Sequence, residues 1–430
     1  MRYFFFCIVI MSGILSKGLI AQDFSEHRVP FTAVSFLLTD VQPRTIGLSG
    51  INVVGITNTF SRSYTSNPSL SAGYDDGVRF SLNYNPYSIR EGNPALDNYK
   101  ISKEIFNLAS HLQFNFKNKN AIGYDFRYFN YGEVIISNVF GDNIQTYKPK
   151  DFALKVFYSR LFKNVRLGIA SAYIRSDLFK DGFEKYLVNT VAFDIGFDGF
   201  TTKHFKGSSS SYTLNYGVSF QNLGPNFKYA ETEPINSILP SILKVGLSNV
   251  FQIQPKESSK FLTRVYIGYQ ADKLLAPTPS SEDNDNNGIF DFLERKWAGQ
   301  VFGSFADAPD GFKEEMKEIN HHIGGGVELI FDNEVMFALN SGIFLENKYK
   351  GNRKNVSLSP VIGIKGFNIE YTYTFSLNET GPLNSVHQFG INLQVAKIAP
   401  KLGYNNWTNP TKDKQLIKDD TEEADKLFKL

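Results

Sequence analysis

The sequence predicts an all-β chain, a transmembrane antiparallel β-barrel of about fourteen strands. Three observations carry that expectation. Apolar and polar residues alternate at every second position through most of the chain. Beyond the N-terminal leader no apolar run reaches the ~18 residues of a membrane helix. Connections between the alternating segments are short and long by turns, as in outer-membrane barrels. Composition agrees, with 39 Phe and 22 Tyr against 2 Trp and 4 Met, the aromatics that strands turn toward lipid. A formal net charge of +2 over 430 residues gives no basic footprint for nucleic acid.

The chain opens MRYFFFCIVIMSGILSKGLIAQDF, one cation before an apolar run of about a dozen residues. Residues 1–21 read as a signal peptide cleaved after Ala21, since Ser12, Ser16 and Lys17 cut the run too short for an anchor. The one cysteine, Cys7, lies inside that leader, so the mature chain is expected to hold no disulfide, cysteine nucleophile or Cys-ligated metal. Residues 22–75, with Pro30, Pro43, Pro68 and several glycines, read as a plug segment folded into the barrel.

The barrel is expected over 76–396. Alternation is plain in Phe367-Asn-Ile369-Glu-Tyr371-Thr-Tyr373-Thr-Phe375, in Val191–Asp198 and in Val78–Asn85. Candidate strands fall near 76–86, 105–117, 119–132, 151–160, 164–176, 186–198, 211–222, 242–254, 260–273, 319–331, 333–347, 354–364, 366–377 and 384–396. A soluble sheet sandwich would alternate too, but the loop pattern favours the barrel. Residues 199–210 break that pattern as an overlong link on the short side. With both termini periplasmic, the long loops face outward, 274–318 the longest. The charged stretch 397–430 reads as a periplasmic tail.

Inside the longest loop, residues 283–294 read DNDNNGIFDFLE. Asp283, Asp285, Asn287, Ile289, Asp291 and Glu294 stand where a twelve-residue calcium loop places its ligands, with Gly288 at the sharp turn. Pro277-Thr-Pro279 excludes the incoming helix of a full hand. A structural calcium is therefore expected here, or a solvated Asp/Asn turn that binds nothing.

Catalytic constellations are scarce, no G-x-S-x-G occurs, and no enzyme activity is expected. His321 and His322 are adjacent in a strand and so face opposite ways. Gly324-Gly325-Gly326 in the same strand reads as a kink that packs the plug, or as a lateral opening in the wall. Lys348, Lys350, Arg353 and Lys354 form an outward basic loop, a holder of lipopolysaccharide phosphates or cargo carboxylates, or merely a soluble hairpin tip.

Several phrases resemble one known family: IRSDLF at 174–179, QNLGPNFKYAE at 221–231, LPSILKVGLSN at 239–249, ADKLLAPTP at 271–279, SFADAPDGFKEEMKEI at 304–319 and KGNRK at 350–354. They are similar to the PorV (LptO) family of the type IX secretion system, relatives of FadL-type fatty-acid channels. Asn67-Pro68-Ser69 stands where such proteins have Asn-Pro-Ala, and the long tail departs from the family. The resemblance implies a FadL-like barrel in the outer membrane that works as a carrier. It would take C-terminal signal domains of cargo from the giant translocon and hand them to a PorU-like sortase, which attaches the product to lipopolysaccharide. On that reading Phe305, Phe312 and Tyr349 are expected as apolar anchors, with the basic loop beside them. Two other readings stay open: a FadL-type transporter of hydrophobic small molecules, and a protein linked to lipid A deacylation.

Overall fold

A computed structural model describes residues 28–56, 66–74, 77–90, 99–137, 143–180, 185–230, 233, 235–254, 260–332, 335–378 and 385–394. The expected signal peptide and charged tail lie outside these residues. Sixteen strands are present in chain order: β1 (Gly77–Arg90), β2 (Tyr99–Phe116), β3 (Asn120–Tyr131), β4 (Val134–Ser137), β5 (Asn143–Tyr147), β6 (Lys150–Phe162), β7 (Val165–Lys180), β8 (Lys185–His204), β9 (Ser211–Leu223), β10 (Ile242–Ile253), β11 (Phe261–Leu274), β12 (Ile319–Phe331), β13 (Val335–Leu345), β14 (Lys354–Ile364), β15 (Phe367–Ser376) and β16 (Ser385–Gln394). Fourteen of them close an antiparallel barrel in which each strand pairs with its neighbour in the chain and β1 pairs with β16. β4 and β5 form a separate hairpin in the β3–β6 loop.

The expected barrel is therefore found, with two differences. β8 runs on to His204, so the overlong link shrinks to 205–210 and the short side keeps its rule. The β4–β5 hairpin had no alternation to announce it. The link Lys365-Gly366 is a two-residue hairpin turn with positive φ at both residues, and the three-residue link 117–119 has positive φ at Lys117 and Asn118. That backbone twist matches the twist of the flanking strands.

Alternation translates directly into two faces. On β15, Phe367, Ile369 and Phe375 are exposed, while Asn368, Glu370 and Thr372 are buried. β1 and β8 repeat the pattern, with Arg79, Ser81, Asn83, Asp194 and Asp198 turned inward. The outer surface is thus apolar and the lumen polar, the reverse of a water-soluble sheet and the arrangement lipid demands.

The lumen is filled by the chain's own N-terminal segment. A short helix, α1 (Pro43–Gly47), begins with its proline in the first turn, where the missing N–H costs nothing. Arg44 next to it is fully buried and donates from Nη2 to Glu328 (2.9 Å) and to the Tyr266 hydroxyl (3.1 Å). Glu328 also accepts from Arg264 at 3.1 Å. The amides of Asn52 and Val53 donate to Gln270 Oε1, and Asn67 Nδ2 donates to the Val53 carbonyl. Leu48, Ile51, Val53, Val54 and Ile56 pack with Val250 and Tyr266 of the wall. Towards the long loops Val34 and Phe36 join an apolar cluster with Tyr87, Ile105, Phe129, Ile174, Tyr229 and Leu239.

Gly324 explains part of the triple glycine. A Cβ there would lie 2.5 Å from the Leu48 carbonyl oxygen, so only glycine admits the segment so close. β12 stays paired in continuous register with β11 and β13 across Gly324–Gly326, so the wall is closed at that point. Gly324 makes room for the inner segment without parting the strands.

Candidate functional site

The long-loop end of the barrel carries a platform built from residues 275–318, the 346–353 loop and the start of the N-terminal segment. Three short helices shape it: α2 (Asp291–Glu294), α3 (Trp297–Gly303) and α4 (Phe312–Glu315). Gly311, with φ of +70°, turns the chain into α4, a position that other residues adopt at a cost.

The platform is pinned by charge. Glu314, Glu315 and Glu318 are all buried. Lys273, at the end of β11, reaches Glu315 (2.8 Å) and Glu318 (2.6 Å). Lys350 reaches Glu314 and Glu318, both at 2.8 Å, and Arg28 reaches Glu314 at 2.8 Å. Thr278 donates to Glu318 and Asp307, and Arg295 pairs with Asp307 at 2.7 Å. Four segments distant in sequence are thereby tied at one place. Within the barrel rim such pairs are costly to break, because one lost partner strands a buried charge.

Fixing the acids inward turns the aromatics outward. Phe312 is 79% exposed and Phe302 73%, with Phe305, Met316 and Trp297 also exposed. α4 thus buries two glutamates and presents a phenylalanine to solvent, the inverse of ordinary amphipathicity. Exposed apolar side chains on a fixed base make this end the candidate interaction surface.

The residues expected to hold cargo divide accordingly. Phe305 and Phe312 stand on the exposed face. Tyr349 is half-buried, its ring facing Lys348 at 4.5 Å and Lys317 at 5.2 Å. Lys348 is exposed and Lys354 half-buried. Lys350 is a correction: its ammonium is buried in the acid cluster and cannot meet a solvent-borne carboxylate. Arg353 lies at the surface but is held by Glu346, which accepts from both Nε (2.8 Å) and Nη2 (2.7 Å). Phe302, Trp297 and Met316 were not anticipated. The spacing of Phe302 and Phe305, and of Phe312 and Met316, was a usable helical signal.

The histidines part as expected. His321 shares a hydrogen bond with the Tyr269 hydroxyl on the outer face, whereas His322 is buried against Ser49 O (2.6 Å) and Asp272 (3.1 Å).

The acid-rich loop takes the expected turn. Gly288 has φ of +83°, its N–H donates to Asp283, and the Asn287 N–H is shared between Asp283 and Asp285. Asp283, Asp285 and Asp291 each place a carboxylate oxygen within 4.8 Å of the others. Asn287 Nδ2 donates to Glu294, which draws the last acid toward the same group. An all-oxygen donor set of this kind fits calcium and not a thiophilic metal.

Two carboxyls of the platform are displaced in opposite directions. Burial would raise Glu314, but Lys350, the Asp310 N–H and Arg28 outweigh it and hold it below the usual range. Asp307 is raised by burial, against the pull of Arg295 and Thr278. Glu314 contributes stability above its unfolded pKa of ~4.3, lost only as pH falls through its lowered folded value. Asp307 contributes below its unfolded value, and that contribution is lost as pH rises through its raised folded value. Neither group opens the platform on mild acidification. Protection of the amides of 304–318 relative to their intrinsic exchange rates is expected to be equally high at about pH 7 and pH 5, and low at both in Lys350→Ala. Release of the parent loop at the lower pH would contradict this.

Comparison with known proteins places these features in a wider setting. The family described as "Type IX secretion system protein PorV" matches residues 22–281, a span that ends just before the acid-rich loop. No curated protein matches the chain. Among solved structures, the toluene transporter TbuX of Ralstonia pickettii is similar at 10% identity, covering 84% of this chain and 99% of that one, with a TM-score of 0.39. A FadL homologue of Pseudomonas aeruginosa is similar at 10% identity over 86% of this chain and 100% of that one, TM-score 0.38. The barrel itself rests on the chain's own strand pairing.

Proposed function

The chain belongs to the PorV family of type IX secretion system proteins and is an outer-membrane β-barrel; from that premise we propose that it is a shuttle for secreted proteins, with no chemistry of its own. It binds the C-terminal signal domain of cargo leaving the giant translocon channel and passes it to a PorU-like sortase beside lipopolysaccharide. Residues 1–21 are its export signal, removed on the way.

The observation that supports this most is the inverted platform: glutamates inward, Phe302, Phe305 and Phe312 outward, on the long-loop end. A carrier needs an apolar docking face whose geometry is held before the cargo arrives, since ordering it afterwards would cost affinity. Lys348, exposed over the Tyr349 ring, and the half-buried Lys354 are offered for polar contacts with the cargo. Purification of a tagged copy in mild detergent tests the reading. It should bring down signal-domain proteins and the sortase. Recovery of long-chain acids alone would favour uptake of hydrophobic small molecules instead. That second reading needs an apolar lumen, and the apolar part of this lumen is packed by Val34 and Phe36.

The acid-rich loop is proposed to hold a structural calcium through Asp283, Asp285, Asn287, the Ile289 carbonyl, Asp291 and Glu294. Bound there, the ion would neutralise carboxylates that otherwise repel. Asp283→Ala with Glu294→Ala is expected to lower the melting temperature only when calcium is present. Identical melting of the parent with and without chelator would retire the site.

A further inference from the structure

The short-turn end of the barrel carries a charge pattern that the carrier role does not use. Exposed lysines stand on five of its links, each beside an exposed phenylalanine at that end of the barrel. Phe116 adjoins Lys117, Phe162 adjoins Lys163 and Phe205 adjoins Lys206. Lys260 adjoins Phe261, and Lys365 precedes Phe367 by two positions. Lys119 and Lys203 add two more exposed cations. By sequence the short links (117–119, 163–164, 205–210, 254–260, 332–334 and 365–366) hold seven lysines against three acids, Glu257, Asp332 and Glu334, and Asp332 is paired with Lys260 at 3.2 Å. The longest outward loop is the opposite, with ten acids against four cations in 275–318.

The backbone makes the lysines harder to dismiss. Lys117, Lys163 and Lys365 have φ of 54°, 53° and 46°, a left-handed conformation that asparagine or glycine adopts more easily. Three turns therefore accept a local conformational cost to place a cation. The Arg160 guanidinium also lies 5.0 Å from the ring centre of Phe162, bringing one more charge to the same edge.

We propose that this rim binds the anionic headgroups of phospholipids in the membrane leaflet at the short-turn end. Each phenylalanine sits at the acyl boundary while the adjoining ammonium meets the phosphate. The chemistry is that of a polybasic rim at an anionic surface. Continuity with the lipid-facing side chains favours lipid over an acidic protein, which would need a patch set off from the apolar band.

The test reconstitutes the full chain in phosphatidylcholine vesicles with a trace of spin-labelled phosphatidylglycerol or spin-labelled phosphatidylcholine. The fraction of each label immobilised at the protein surface is then read. Phosphatidylglycerol is expected to be favoured by about threefold or more at low salt, falling toward equality near 1 M salt, where screening acts within ~3 Å. The combined variant K117S/K119S/K163S/K206S should lose the preference, and K148S/K228S/K296S/K313S on the outward loops should keep it. The salt titration of the unaltered chain decides the matter even if the rim variant fails to fold. Equal partition of both lipids at low salt would overturn the proposal, as would a preference that ignores salt. Rim-dependent capture of a polyglutamate peptide without lipid preference would also overturn it, assigning the rim to an acidic protein.

Discussion

Replacing Phe302, Phe305 and Phe312 together by serine is expected to weaken binding of a purified C-terminal signal domain by at least tenfold, with the barrel intact. Central aromatic anchors are each worth ~2 kcal/mol or more when truncated, and these three are the most exposed rings of the platform helices and the turn between them. Their backbones are held by groups the substitutions do not touch: the Ser304 N–H to Gln300 O, the Glu314 N–H to Gly311 O, and the buried glutamates. Stability should therefore change little, since exposed side chains away from packed features rarely move it by more than ~0.5 kcal/mol. Binding is read by fluorescence anisotropy in detergent, and folding by heat-modifiable migration. Unchanged affinity with a folded barrel would place the cargo face elsewhere.

The second large effect lies in the lumen. Glu328→Ala is expected to destabilise the protein by about 3–5 kcal/mol, because it leaves the buried Arg264 without its carboxylate and takes from the buried Arg44 one of two nearby acids, Glu370 being the other. The loss should appear as a lower urea midpoint and as fast hydrogen exchange in 41–56. Arg44 keeps its bond to Tyr266, which passes its own hydrogen on to Asn340, so the segment is expected to loosen rather than leave. Glu328→Met combined with Arg44→Met should recover part of the stability, as buried ion pairs exchanged for apolar residues often do. A Glu328→Ala protein with parental stability and exchange would show that the inner segment is held by packing alone.

Much of the barrel was legible because lipid imposes period two on the strands that face it. That same rule hid the end of β8, where Gly199-Phe-Thr-Thr-Lys-His204 stops alternating. It hid β4 as well, since Val134-Ile-Ile-Ser137 has no polar residue between its apolar ones. The turn of the acid-rich loop was legible because Asp283, Asp285 and Gly288, which form it, are close in sequence. The platform was not. Lys350 looked like a hairpin-tip cation because its partners, Glu314 and Glu318, are more than thirty positions away. Without that pairing nothing marks the glutamates of Phe312-Lys-Glu-Glu315 as inward and its phenylalanine as outward, and Phe302 passes for a core residue.

At the centre stands the claim that this protein works through its long-loop face and not through its lumen. A photoreactive phenylalanine analogue placed singly at 302, 305 or 312, and in parallel at the inward, fully buried positions Asn107 and Gln113, tests it in intact cells. Light should yield adducts with cargo signal domains from the three loop positions and none from the two lumen positions. Adducts from the lumen, or silence from the loop while cargo is being exported, would contradict it.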